Sequence, residues 1–182
     1  YCLLFAALFI SIHYFIFMEK ESVILIPTLN ERKNLEQLIP AIFNLMPEIS
    51  VLIVDDDSKD GTGELVKNLQ NTHTNLFLLK RTENFGYGKA CIDGFKYLEV
   101  ELPSKRFIVT MDADFSHDYK TIPGLLEKLK NNDVAIGSRY VPGGEIENWS
   151  FHRIVLSKLA NFYVRTILGL KIMDLTTGFN AY

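Results

Sequence analysis

Asp112 and Asp114 stand on either side of one alanine, directly after the apolar run Phe107-Ile-Val-Thr-Met111 and before Phe115-Ser-His117. In an extended segment residues two apart point the same way, so both carboxylates face one side and Ala113 between them takes little room. Two aligned carboxylates attract a cation. With no nearby Cys and no His cluster, the pair suits Mg2+ or Mn2+, ions commonly held by one or two carboxylates together with substrate phosphates. The motif reads as a metal and diphosphate site. Its plain alternative is an acidic turn closing a buried strand.

Other polar groups follow apolar runs in the same way. Thr28 to Glu31 come after Val23-Ile-Leu-Ile26, Asp55 to Ser58 after Val51-Leu-Ile-Val54, and Arg139 after Val134-Ala-Ile-Gly137. Asp56 could accept hydrogen bonds from a ribose or base, or serve the dipole of a helix beginning near Gly61. Arg139 could clamp a diphosphate with two contacts, or make a surface ion pair. The glycines of Asn84-Phe-Gly-Tyr-Gly-Lys89 permit close approach of backbone to a ligand. There is neither a GxxxxGK[ST] loop nor a GxGxxG, so a P-loop ATPase or dinucleotide enzyme is not supported.

These groups need a frame. Apolar runs predict strands at Val23–Ile26, Val51–Val54, Leu76–Leu79, Phe107–Met111 and Val134–Gly137. Between them, helices are expected from Glu31 on, over Glu64–Asn71, from Lys89 to about Val100 and over Thr121–Lys130. Thr28 and Glu31 have the spacing of a capping box, Leu35, Leu38, Ile39, Ile42, Phe43 and Met46 form a core-facing stripe, and Pro40 should kink or split that helix. Pro142-Gly-Gly144 breaks the pattern, and Ser150–Leu168 forms an amphipathic helix through Ile154, Leu156, Leu159, Phe162 and Ile167. Alternating strands and helices imply an α/β fold: a mainly parallel sheet flanked by helices on both faces. Ligands of such sheets bind beyond the carboxyl ends of the strands, where all these polar loops lie.

The chain of 182 residues is 48% hydrophobic and 23% charged, enough for one globular domain with its own core. A net charge of -3 gives no bulk attraction for nucleic acid. Cys2 and Cys91 have no zinc or disulfide spacing, so a reducing, cytoplasmic compartment is expected. Tyr1 to Phe17 is apolar and of about the minimum length for a membrane span, roughly 17 residues. It reads as a span, or as read-through upstream of a start at Met18.

Together, Ile26-Pro-Thr-Leu-Asn-Glu-Arg-Lys-Asn-Leu35, Val54-Asp-Asp-Asp-Ser-Lys-Asp-Gly-Thr62, Met111-Asp-Ala-Asp-Phe-Ser-His117 and Gly137-Ser-Arg-Tyr140 resemble the successive motifs of the family 2 glycosyltransferases of GT-A (Rossmann-like) fold. Within that family the chain is most similar to the dolichol-phosphate (polyprenol-phosphate) mannosyltransferases. The spacing Arg153-x-x-x-Ser157, Ala160-Asn161-Phe162 and Asp174-Leu-Thr-Thr-Gly-Phe179 carry the similarity toward a lipid acceptor.

The resemblance implies roles. Pro27, Leu29, Glu31, Val54 and Asp56 would line the donor's nucleoside, with Asp112, Ala113 and Arg139 at its diphosphate. Asp112, Asp114 and Ser116 would hold the metal, Ser116 standing where some relatives have Gln. Arg153 and Ser157 would meet the acceptor phosphate, and Asp114, Arg139 and Arg153 would carry catalysis. Leu29 stands where Tyr is usual and Asp57 where Gly is usual. The implied catalytic domain, residues 18–182, continues past Tyr182, which falls just inside a motif. Implied partners are a nucleotide-sugar donor, a polyprenyl phosphate and a membrane surface, met through Ser150–Leu168 or through a membrane-anchoring partner subunit. As a plain alternative Ser150–Leu168 is a core helix. The implied location is the cytoplasmic face of a membrane, peripheral, or anchored if residues 1–17 span it.

The expected activity is transfer of mannose from GDP-mannose to a polyprenyl (dolichyl) monophosphate, with inversion. A phosphate monoester has its second pKa near 6 and is largely ionised at neutral pH, so this nucleophile needs no general base. Rival readings are a UDP-glucose-dependent transferase of the same family and a non-catalytic nucleotide-sugar-binding subunit.

Overall fold

The computed structural model describes residues 13–83, 85–141, 151–170 and 172–182. Residues 1–12 of the apolar segment, Asn84, Pro142-Gly-Gly144 and Ser150 lie outside the described residues, as do the side chains of Phe151 and Arg153.

Six strands form one sheet: β1 (Ser22–Thr28), β2 (Ser50–Asp55), β3 (Leu76–Lys80), β4 (Phe107–Thr110), β5 (Ala135–Ile136) and β6 (Asn180–Ala181), in the order β3-β2-β1-β4-β6-β5. β1 pairs in parallel with β2 and β4, and β2 with β3. β6 lies antiparallel between β4 and β5. The expected α/β architecture is present, but the short β6 was not legible, since Asn180-Ala181 carries no apolar run.

Helices α1 (Arg32–Leu45), α2 (Thr62–Leu69), α3 (Tyr87–Glu101), α4 (Ile122–Lys128) and α5 (Phe151–Leu168) follow in chain order. Alternate residues of β1 serve opposite faces. Ile24 and Ile26 pack with Leu35, Leu38 and Ile42 of α1, Val66 of α2 and Ile122 and Leu126 of α4. Val23 and Leu25 pack with Ala90 and Leu98 of α3. A strand buried on both faces reads as a continuous apolar run, as β1 does. Gly94 lets α3 close on the sheet: a Cβ there would stand 2.5 Å from Leu25 Cδ1.

The expected capping box is absent. Thr28 is the last residue of β1, and its hydroxyl donates to the Val54 carbonyl (3.3 Å). α1 is capped from elsewhere: Asp60 Oδ2 accepts from the Arg32 amide (3.0 Å) while its Oδ1 accepts from the Thr62 amide of α2 (3.0 Å). One carboxylate thus satisfies amides at two helix starts and joins the β1–α1 and β2–α2 loops. Pro40 does not split α1, which runs from Arg32 to Leu45.

Candidate active site

The β1–α1 and β2–α2 loops build one end of the edge. Asn30, in the left-handed region at φ 59°, receives the Lys59 amide on Oδ1 (2.9 Å), and its own amide donates to Ser58 Oγ (2.7 Å). Beside it Leu29 is 58% exposed, a free apolar surface at the lip. Pro27 is half-buried, and Glu31 accepts from Asn34 Nδ2 (2.6 Å). The Val54 side chain is fully buried in the core facing α3, so it supports the strand end and offers no surface. Asp57 also sits in the left-handed region, at φ 55°, a torsion that Gly adopts without strain and Asp tolerates. Its charge pairs with Lys59 and Lys80, whose hydrogen bonds hold its carboxyl below the usual range.

Asp56 is buried, and both its oxygens are engaged. Oδ1 pairs with Arg81, itself 5% exposed, and Oδ2 accepts from the Gly86 amide (2.7 Å). Arg81 Nε also donates to Asp93 of α3 (2.9 Å). Asp56 therefore anchors the glycine-rich loop, a role that residue type alone did not show.

The aspartate pair lies at the end of β4. Asp112 is half-buried and Asp114 exposed, while Ala113 between them is 2% exposed. Burial pushes the Asp112 carboxyl up; the nearby Asp114 charge adds to that and His117 opposes it. Asp114 is held down by Ser116, whose amide donates to Oδ1 (3.0 Å), against the upward push of burial. Ser116 thus orients Asp114. Phe115 is at φ 60°, and His117 turns back beneath the loop so that its Nδ1 accepts the Asp112 amide (3.0 Å). Its ring stacks on Phe179, centroids 5.0 Å apart and planes at 10°. Among the described residues no group of three or more His, Cys, Asp or Glu could hold a metal. Two carboxylates, one oriented and one poorly solvated, fit a hard divalent ion that completes its shell with phosphate and water oxygens.

Beyond the pair, Arg139 donates through Nε (2.8 Å) and Nη2 (3.0 Å) to the fully buried Asp174, and through Nη2 to Thr176 Oγ1 (3.2 Å). Ser157 of α5 accepts from the Tyr140 hydroxyl (2.8 Å) and lies 3.4 Å from Thr176 Oγ1. Asn161, one turn on and buried, donates to Thr176 Oγ1 (3.2 Å) and accepts from the Leu175 amide (2.6 Å). α5 therefore turns Ser157 and Asn161 inward, with Ile154 and Val164 half-buried as well. Its apolar side is open: Leu156 is 72%, Leu159 61%, Phe162 68% and Ile167 61% exposed. Of the five apolar members expected on one face, these four are exposed and Ile154 is half-buried, which is not the burial of a core helix among the described residues.

The family model for glycosyl transferase family 2 matches residues 23–182. The chain belongs to glycosyl transferase family 2. It is 41% identical over 165 residues to polyprenol monophosphomannose synthase of Mycolicibacterium smegmatis, covering 90% of this chain and 62% of that protein. It is 43% identical over 164 residues to dolichol-phosphate mannosyltransferase of Pyrococcus furiosus, covering 87% of this chain and 45% of that one. The chain thus spans less than two thirds of the length of these relatives. Among solved structures, glucosyl-3-phosphoglycerate synthase of Mycobacterium tuberculosis, in complex with Mn2+, UDP and glucosyl-3-phosphoglycerate, superposes with a TM-score of 0.61 at 16% identity, over 90% of this chain and 58% of that one. That likeness is one of fold.

In this family 2 glycosyl transferase the aspartate pair, the β1–α1 and β2–α2 loops and Arg139 follow the sheet's strand ends, as the sequence led us to expect, and the glycine-rich loop joins them through the Gly86 amide on Asp56. Ser157 joins them through Thr176; the Arg153 side chain lies outside what is described. Sequence reading passed over Arg81, Tyr140 and His117. Arg81 directly follows β3, which ends at Lys80, and His117 lies three residues past Asp114, so position was the available signal for both.

Proposed function

We propose that the protein is an inverting glycosyltransferase moving mannose from GDP-mannose to a polyprenyl (dolichyl) monophosphate. The observation that carries this is the 40–43% identity to three relatives named for mannose and a polyprenol-type phosphate. The site geometry agrees with it. Pro27, Leu29 and Glu31 would line the nucleoside, over the loop that Asp56 anchors. Asp112 and Asp114 would hold Mg2+ or Mn2+, which supplies charge neutralisation for the departing diphosphate. Arg139, aimed by Asp174, would add a fixed positive charge beside that leaving group. Ser157 and Arg153 of α5 would orient the acceptor phosphate for in-line attack on the anomeric carbon.

No protein base is required of an ionised phosphate nucleophile. The imidazole nearest the pair is not placed to be one. With Nδ1 accepting the Asp112 amide and burial pushing the ring's pKa down, His117 is neutral and carries its proton on Nε2. The exposed apolar side of α5 suits insertion into a membrane interface, where a polyprenyl tail would lie, on the cytoplasmic face. Among the described residues no helix is long and apolar enough to cross a membrane.

The test is incubation of the chain with GDP-mannose or UDP-glucose and a short polyprenyl phosphate, with and without Mn2+. Mannose transfer from GDP-mannose alone, dependent on Mn2+, is the expected result. Glucose transfer instead would favour the UDP-glucose rival, and donor binding without transfer from either would favour a non-catalytic subunit.

A further inference from the structure

Gly86 and Tyr87 are consecutive, yet they reach different parts of the edge. The Gly86 amide meets Asp56 just past β2, whereas the Tyr87 hydroxyl donates to the Gly178 carbonyl (3.4 Å), just ahead of β6. The strand order between those points is β2-β1-β4-β6. A donor with its nucleoside over β2 and β1 and its diphosphate at Asp112, past the end of β4, carries its sugar onward toward β6. The Tyr87 hydroxyl stands there.

Gly178 lets the phenol approach the backbone closely: a Cβ on it would lie 2.5 Å from Tyr87 Oη and 3.6 Å from Asp112 Oδ1, so hydroxyl and carboxylate both lie against Gly178. Tyr87 as a residue is 48% exposed. The Gly178 carbonyl also accepts from Thr110 Oγ1 at 2.8 Å, so it keeps a donor when the hydroxyl turns to a ligand. A phenol with the ordinary tyrosine pKa of about 10 is protonated at neutral pH and can both donate and accept.

We propose that the Tyr87 hydroxyl hydrogen-bonds a hydroxyl of the transferred hexose and so reads the sugar rather than the nucleotide. This rests on the donor orientation of the proposed function.

The test is Tyr87→Phe in the full chain, with GDP and GDP-mannose binding each measured by calorimetry in Mn2+. GDP affinity is expected to stay within about 2-fold of wild type while GDP-mannose affinity falls roughly 3- to 10-fold, the loss of one neutral hydrogen bond. Equal weakening of both ligands, or of neither, overturns the inference. Gly178→Ala, whose methyl would crowd the same hydroxyl, is expected to show the same selective loss, and it decides the matter if the Phe variant does not fold. If wild type binds neither ligand, the donor reading itself is wrong and the inference falls with it.

Discussion

Arg139 and Asp174, 35 residues apart in the chain, form a two-pronged ion pair at 2.8 and 3.0 Å around a carboxylate with no exposed surface. The pair fixes the guanidinium beside the aspartate loop and ties the segment after β5 to the segment before β6. Removing one partner of a buried pair leaves the other charge uncompensated. Asp174→Ala is expected to destabilise the fold by about 3 kcal/mol in urea titration. Burial pushes the Asp174 carboxyl up, but the Arg139 hydrogen bond and charge outweigh it, so the folded pKa lies below the unfolded one. This contribution is present above the ordinary carboxylate range and is lost as pH falls through the folded value. Wild type should therefore lose more stability than Asp174→Ala when pH is lowered below about 4.

The aspartate pair carries a stability cost that a cation relieves. The Asp112 pKa is raised by burial, so its ionised form disfavours folding once pH exceeds the ordinary carboxylate value. Asp112→Asn is expected to raise the metal-free melting temperature at pH 7 and to abolish the further rise on adding Mn2+. Asp114→Ala, at an exposed position, should leave the metal-free melting temperature within about 3 °C of wild type and eliminate metal-dependent transfer. Full activity in that variant would sink the metal assignment.

His117 supports Asp112 from beneath through its amide. His117→Leu leaves that amide without its acceptor and is expected to cost about 2 kcal/mol and to weaken Mn2+ binding. His117→Asn puts a carbonyl oxygen near the Nδ1 position and should restore much of the Mn2+ affinity. Because burial holds the ring's pKa below its ordinary value, the unfolded chain takes up the proton first. Stability should fall as pH drops below about 6.5 in wild type, and this part of the fall should vanish in His117→Asn. Parallel pH profiles of melting temperature for the two proteins would contradict it.

The open side of α5 gives a test of membrane contact. Leu156 and Phe162 are 72% and 68% exposed, so replacing both with Glu should leave the melting temperature unchanged. Sedimentation with anionic lipid vesicles should show binding weakened by at least about 10-fold. A drop of many degrees in melting temperature would mean that this side is packed against protein instead.

The sequence by itself determined the elements and the chemistry on offer. The runs Val23–Ile26 and Val51–Val54 are apolar throughout because strands covered on both faces must be, and the stripe from Leu35 to Phe43 repeats because a helix buries one side. Asp112 and Asp114 were legible as a pair from their spacing after an apolar run, although β4 itself ends at Thr110. Only the tertiary structure decided who pairs with whom. Asp60 caps α1 in place of Thr28, Asp56 holds Arg81 and the Gly86 amide, and Asp174 holds Arg139. β6 enters between β4 and β5, and α5 turns Asn161 inward and Phe162 outward. Local pattern encodes periodicity and side-chain type within a few residues. Partner choice depends on distances between groups tens of residues apart, and those distances exist only once the chain has packed.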